Sequence, residues 1–485
     1  MRFNLKIIGT ILGLLIMLNG FFMLTCLPFS FYYRENDSLA LTVSAIITLS
    51  CGLAIWLYCR DNKNKELKKR DGYLVVTLGW VFMSIFGSLP YFISGSIPDV
   101  TNAFFETISG YTTTGATILE DIEAMPKGVL FWRSLTQWIG GMGIIVLTVA
   151  ILPLLGIGGM QLFLAEAPGI TPDKIQPRIK ETAKRLWFIY LFLTAIEVVL
   201  LKLAGMTFYD AINHSMTTMA TGGFSTKNAS IANFSSPIIH YIIIIFMFLG
   251  GTNFTLIYFA IKGRFNKVWG NEEFRVYLIT TGVLTIIVGL IVIYVTNFIP
   301  ERSFREALFQ VISIITTTGF ITADYSVWSP FLTVLFFLLL FSGASAGSTS
   351  GGVKIVRHVI LFKNSFLELK RQLHPSAVVP VRLNGKAVNQ NITFNILAFI
   401  MIYILIFAIG SAIMASLGVD IITSMGSVAS SLGNVGPGIG AVGPVNNFSH
   451  IPAIGKWVLS FLMLLGRLEL FTVLMLFTPY FWGKQ

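Results

Sequence analysis

The sequence predicts an all-α integral membrane fold: two leading transmembrane helices, then four copies of a unit made of a span, a short re-entrant segment and a second span, gathered round one axis. Three observations predict it. Of the 485 residues, 54% are hydrophobic and 12% charged, against about 25% charged in soluble domains. Apolar runs long enough to cross a bilayer recur along the whole chain. One pattern, Phe-x-x-Ile-Ser-x-x-Thr-Thr-Thr-Gly, is written twice, as FETISGYTTTG from Phe105 and FQVISIITTTG from Phe309.

A hydrocarbon core of about 30 Å takes roughly 20 apolar residues per helix. Spans fall near 7–30 and 39–58, then in pairs near 73–94 and 130–157, 186–204 and 237–261, 277–299 and 330–360, and 392–416 and 454–480. The first run imitates a signal peptide, but no small-residue cleavage pattern follows it and its length suits a retained helix. The chain therefore divides into extra helices over 1–60 and units over 72–160, 184–264, 275–362 and 390–482.

Net charge is +11, with the positive residues clustered in short loops at 60–71, 174–185 and 262–275 and between Lys354 and Lys386. A basic chain can bind nucleic acid. Here the positive-inside rule explains the clusters better: with the N-terminus cytoplasmic, every basic loop lies on one side, and 32–38, 118–128 and 296–303 lie on the other. The expectation is a multi-pass protein of a bacterial inner membrane, both termini cytoplasmic, with the lipid bilayer and not nucleic acid as its partner. Cys26, Cys51 and Cys59 have neither metal spacing nor an even disulfide frame. The five histidines are scattered.

Within each unit the segments 100–117, 208–226, 304–322 and 420–440 are too short to cross. Each opens as a helix and ends in Thr or Gly. Irregular backbone at membrane depth is tolerated only where it lines a wet cavity or is buried in protein. Phe304–Thr322 aligns without gaps on Phe208–Thr226, sharing Phe-x-x-Ala and a closing Thr, Gly, Phe, x, Thr. The tips in register are Thr112, Thr113, Thr114 and Gly115; Ala220, Thr221, Gly222 and Gly223; Thr316, Thr317, Thr318 and Gly319; and, in a more divergent copy, Gly433, Asn434, Val435 and Gly436. A further glycine follows in each second span, at Gly140, Gly250, Gly343 and Gly466. One such glycine reads as a packing notch between helices. Four in register do not.

Four such tips around an axis offer rings of backbone carbonyls, the oxygens that replace the water shell of a dehydrated potassium ion. Glycine supplies backbone angles closed to other residues. Each short helix aims its partly negative C-terminal end inward, which favours a cation. The loops carry no ring of carboxylates, which disfavours a divalent-cation site.

Together these motifs resemble the TrkH/KtrB/HKT superfamily of potassium transporters, and the TrkH branch best, given the two leading helices. The resemblance implies a potassium-channel-like fold in one chain, four M1–P-loop–M2 units around a central pore. It implies potassium as the transported ion, no organic cofactor, and no enzymatic activity. In plant relatives a serine in the first filter loop accompanies sodium selectivity; Gly115 occupies that place here. Asn434, Val435, Gly436 and Pro437 depart from the threonine-rich pattern, which removes hydroxyls but not carbonyls. The resemblance also implies a homodimer seated on a cytosolic ring of nucleotide-binding subunits of TrkA or KtrA type.

The second span of unit 3 holds Gly343, Ala344, Ser345, Ala346, Gly347, Ser348, Thr349, Ser350, Gly351 and Gly352 between two apolar runs. A regular helix there costs about 1 kcal/mol per glycine relative to alanine. The alternatives are a tightly packed glycine-rich helix face and an unwound plug beneath the loops. Relatives carry an intramembrane loop here that limits conduction. Arg467 stands in mid-span, where a charge usually faces a cavity or a partner; the competing reading is an ion pair with Glu469. Relatives place a positive residue at this position below the filter, as a barrier to cations.

Two other function classes are open on the sequence. One is sodium- or proton-coupled potassium symport, although no coupling site is evident. The other is a membrane scaffold or enzyme without an ion path, which would need a catalytic cluster that the sequence does not offer. There is no Walker A or dinucleotide-binding glycine motif.

Overall fold

The structure is a computed structural model that describes residues 3–60, 68–143, 179–296, 299–374 and 379–483. Among the described residues, six helices are long and apolar enough to cross a membrane: Leu5–Tyr33, Ser38–Cys59, Arg70–Ile93, Ala183–Leu203, Glu272–Thr296 and Gln390–Ser416. They are the two leading spans and the first span of every unit. Their outward faces carry exposed Ile, Leu, Val and Phe, as lipid contact requires.

The second spans differ from the continuous crossings that the sequence suggests. In unit 2, Pro237–Gly250 and Phe254–Ile261 meet at 109°, and in unit 4, Ala453–Arg467 and Phe471–Phe477 meet at 112°. In unit 3, Pro330–Leu339 and Ile355–Leu373 are separated by irregular backbone. In unit 1 the helix Lys127–Gly141 is described, and the remainder of the expected span, 144–157, lies outside the described residues. The breaks fall at or beside the glycines that recur in the sequence. A side chain there would meet the short helix: a Cβ at Gly140 would fall on the Tyr111 carbonyl oxygen and one at Gly466 on that of Leu432.

Short helices occupy the four re-entrant segments: Val100–Tyr111, Phe208–Met219, Pro300–Ile315 and Ile421–Gly433. The third starts four residues earlier than the sequence pattern suggests. Three have N-caps whose side-chain oxygens accept from the helix N-terminus, Asp99 from Asn102, Thr207 from Asp210 and Asp420 from Thr423, satisfying donors that a buried helix start would otherwise orphan.

The leading helices bear directly on this centre. The Tyr111 hydroxyl donates to Asn19 Oδ1 at 2.5 Å, and Asn19 Nδ2 donates to the Met83 carbonyl at 3.2 Å. All of Asn19 is buried. The leading pair thus holds the residue that precedes the first threonine run. Beyond the broken span of unit 3, the amphipathic helix Ile355–Leu373 leads to a small antiparallel hairpin pairing Arg382 with Ala387 and Leu383 with Lys386.

Candidate functional site

All four short helices end in one backbone motif. The N–H groups of Thr114, Gly222, Thr318 and Val435 reach back to the carbonyls of Ser109, Thr217, Ser313 and Ser430 at 2.8–3.0 Å. Those of Thr113, Thr221, Thr317 and Asn434 reach Gly110, Thr218, Ile314 and Ser431 at 2.9–3.3 Å. This is the Schellman closure of a helix, which needs a left-handed residue at the turn. Glycine is usual there, yet the residues are Thr113 (φ +52°), Thr221 (+51°), Thr317 (+56°) and Asn434 (+53°). Asparagine tolerates that conformation. A β-branched threonine is strained in it, and such strain concentrates at functional sites. Two residues on, Gly115, Gly223, Gly319 and Gly436 have φ of +82°, +76°, +76° and +99°.

The glycines touch in cyclic order. A Cβ at Gly115 would land on the carbonyl oxygen of Gly222, one at Gly223 on that of Thr318, and one at Gly319 on that of Val435. One at Gly436 would meet the Thr114 oxygen at 2.7 Å. A second ring of hydrogen bonds lies just outside the tips. Ile122 N donates to Asn228 Oδ1 at 2.6 Å. Ala232 N donates to Ile321 O at 3.0 Å, and Phe448 N to Thr117 O at 2.8 Å. The Tyr325 hydroxyl donates to Gly438 O at 2.8 Å. Each bond joins one unit to the next. A cavity of about 200 Å³ opens above, lined by all four glycines with Glu120, Lys227 and Asn446. At its rim the Asn228 amide, opposed by slight burial and helped by the Ala124 and Glu123 N–H groups, holds the Asp121 carboxyl below its ordinary pKa.

The threonine side chains brace the tips rather than fill space. Thr112 Oγ1 and Thr114 Oγ1 lie 2.8 Å apart, as do Thr316 Oγ1 and Thr318 Oγ1. In unit 4, Asn434 Nδ2 reaches across to Thr114 Oγ1 at 3.0 Å, replacing a hydroxyl with an amide that staples loops 4 and 1 together. In unit 2, the first-unit residue Gln137 donates to Gly222 O at 2.6 Å and accepts from Phe224 N at 3.0 Å. Gln137 is absent from the sequence pattern, because it serves a loop of a different unit.

Beneath the tips runs the irregular stretch between Leu339 and Ile355. Gly351 N donates to Thr317 Oγ1 at 2.7 Å. The Thr349 hydroxyl donates to Met219 O and Gly250 O, both at 3.0 Å, and stands 3.3 Å from Thr221 Oγ1. A Cβ at Gly351 would lie 2.7 Å from Gly433 O. These residues touch loops 2, 3 and 4 from one side. Ser345, Ala346 and Gly347 turn instead toward neighbouring backbone: Ser345 N donates to Gly251 O, Ala346 N to Glu273 Oε1 at 2.7 Å, and Gly347 O accepts from Phe254 N at 3.0 Å. Gly343 and Gly352 close the base, where Ser342 bridges Val353 and Gly343 N donates to Val353 O at 2.8 Å. The Ala344 N–H donates to Ser350 Oγ at 3.2 Å, and Ser348 Oγ lies 2.9 Å from Ser350 Oγ.

Arg467 reaches this stretch from unit 4. Its Nη1 donates to Thr349 O at 2.7 Å, and its Nη2 to Gly140 O and Gly141 O at 2.6 and 3.1 Å. One guanidinium thus holds carbonyls freed by two helix breaks. Glu469 pairs with Arg357. Lys354, buried, directs its ammonium to the carbonyls of Ser350 and Gly351. Among described residues no cluster of His, Cys, Asp and Glu could hold a metal ion.

A multi-pass helical membrane protein whose buried centre is a ring of loop tips, with broken helices beneath, is built as a transport protein. Comparison gives the family: the TrkH family model, described as a cation transport protein, matches residues 38–483, and the chain belongs to that family. It is 43% identical over 486 aligned residues to the Trk system potassium uptake protein TrkH of Escherichia coli K12, covering 99% of this chain and 100% of that one. To TrkH of Vibrio parahaemolyticus it is 43% identical, covering 97% and 98%. The crystal structure titled potassium transporter TrkH from Vibrio parahaemolyticus superposes with a TM-score of 0.89 at 40% identity, covering all of both chains. The family is one of transporters, not enzymes.

Proposed function

We propose that this chain takes up potassium across the bacterial inner membrane through a central pore, selecting it with the carbonyls of the four tips. The observation that carries the reading is the cyclic contact of Gly115, Gly223, Gly319 and Gly436, each against the carbonyl of the next tip. Positive φ at alternate residues of each tip lets successive carbonyls share a direction, which a chain of ordinary residues cannot do. Carbonyls so arranged replace hydration around a monovalent cation. The four short helices add their C-terminal partial charges. The uptake function named for the relatives supports the same reading.

The stretch from Gly343 to Gly352, with Arg467 locked to its Thr349 carbonyl, acts as the gate. It places a cation and a hydrogen-bonded plug on the exit side of the tips. Both termini are cytoplasmic, and the protein works as a homodimer on a nucleotide-binding ring of TrkA or KtrA type; the basic loops between spans suit such docking.

The test is rubidium uptake into proteoliposomes. Wild-type protein takes up rubidium and excludes sodium, and Gly115→Ser admits sodium. Uptake that requires an imposed sodium or pH gradient assigns symport instead. Absence of rubidium uptake, or undiminished discrimination in Gly115→Ser, counts against the pore as placed.

A further inference from the structure

The residue nine positions before each tip glycine is polar and buried: Glu106, His214, Gln310 and Ser427. Three of these brace the strand that leaves their own tip. His214 Nε2 lies 2.9 Å from Ser225 Oγ. Gln310 Nε2 donates to Thr322 Oγ1 at 3.3 Å. Glu106 accepts from Thr117 Oγ1 at 2.9 Å and from Ile118 N at 2.9 Å. Only the brace of unit 1 is charged, and it continues into a second unit. Arg133 Nε donates to Glu106 Oε1 at 2.6 Å, the two side chains being 1% and 0% exposed. The same guanidinium donates through Nη1 to Ser225 O at 3.1 Å and lies 3.5 Å over the Phe224 ring. One helical turn on, Gln137 holds Gly222 O and Phe224 N.

Unit 1 therefore grips loop 1 with a carboxylate and loop 2 with the guanidinium paired to it. The pair sums to no net charge. What it fixes is distance, since a planar guanidinium binds its partners in one geometry. Resting on the uptake function above, we propose that Glu106 and Arg133 form a charged strut that sets the spacing of loops 1 and 2 and thereby the size of cation the tips accept. Neither touches the ion; both are positioning residues for the discrimination of potassium from sodium.

The experiment compares rubidium and sodium fluxes into proteoliposomes for wild type, Glu106→Gln, Glu106→Asp and the double variant Glu106→Gln with Arg133→Gln, each first checked for monodispersity. The double variant leaves no lone buried charge and imitates the neutral Gln310 brace, so it keeps the question answerable if the single variant does not fold. The rubidium-to-sodium ratio falls about tenfold or more in Glu106→Gln and in the double variant, the scale seen when a group that orients ion-binding oxygens is removed. Glu106→Asp recovers part of it. A strut that merely keeps the chain folded lowers yield and total flux together and leaves the ratio unchanged; that result overturns the proposal. Wild-type protein that fails to transport rubidium at all overturns the uptake reading instead, so the two failures are distinguishable.

Discussion

Single residues at the tips carry two separate costs, and substitution separates them. Gly319 has φ +76°, and an added Cβ would strike the Val435 carbonyl. Gly418 has φ +88° with nothing within 4 Å. Gly418→Ala incurs only the left-handed strain of an L-residue, about 1–2 kcal/mol. Gly319→Ala incurs that strain and displaces a carbonyl of the next tip. Thermal unfolding followed by size exclusion should find both variants folded, the first a few degrees less stable. Rubidium uptake should vanish in Gly319→Ala and persist in Gly418→Ala. Uptake surviving in Gly319→Ala would mean that the ring of tips tolerates an extra atom, against the close contact on which the filter depends. Threonine at three of the four left-handed turns belongs to the same logic. At two of them the side chain ties the tip to the stretch below: the Thr221 hydroxyl donates to Thr349 Oγ1, and Thr317 Oγ1 accepts from Gly351 N.

At the scale of elements, the contrast between first and second spans matters most. First spans are continuous and meet lipid. In units 1, 2 and 4 the second spans break where Gly140, Gly250 and Gly466 lie against the short helices, and freed backbone groups are reused: Gly250 O by Thr349, Gly140 O by Arg467. An element held by hydrogen bonds worth about 1 kcal/mol each, net, can be released without unfolding the bundle. Arg467→Ala removes three such donations and the charge proposed as a barrier to cations, and should raise rubidium flux. Thr349→Ala removes two and should raise it less. Stopped-flow flux measurements that rank the variants the other way, or find neither faster than wild type, would dissociate this stretch from gating. The recurrence of the tip motif was legible in the sequence, because it imposes residue types locally: glycine for backbone angles, threonine for short-range bracing. The departure of the second spans from continuous helices was not legible outside unit 3. Pro237–Ile261 and Ala453–Phe477 are long and apolar enough to span as single helices, and the glycines beside their bends, Gly250 and Gly466, lie against the short helices.

For the whole molecule, the loop tips are unequally fastened. Units 1 and 2 are joined by the Glu106–Arg133 pair and Gln137, and units 4 and 1 by the Asn434 staple. The leading helices hold unit 1 through Asn19 and also meet unit 2, where Phe29 and Tyr33 pack on the Tyr209 ring, while Phe3 packs on Phe481 and Trp482 of unit 4. The positive-inside rule predicts the orientation in the bilayer: the basic segment beyond Lys354 is expected inside and the loop around Asp324 outside. In a background without Cys26, Cys51 and Cys59, an impermeant thiol reagent applied to intact cells should label Ser326→Cys and spare Ser365→Cys. The reverse pattern would invert the topology.

The sequence by itself determined the multi-pass helical class and the positions of the four recurring tip motifs, because hydropathy, glycine and threonine act over a few residues at a time and repeat wherever the same backbone is needed. Only the tertiary structure decided which units hold one another. Arg133, Gln137 and Asn434 each serve a loop belonging to a different unit, and Glu469 turned out to pair with Arg357 and not with its neighbour on the chain. Such partners are chosen by proximity across the bundle in a medium without water to satisfy them, and no spacing along one chain segment encodes that choice.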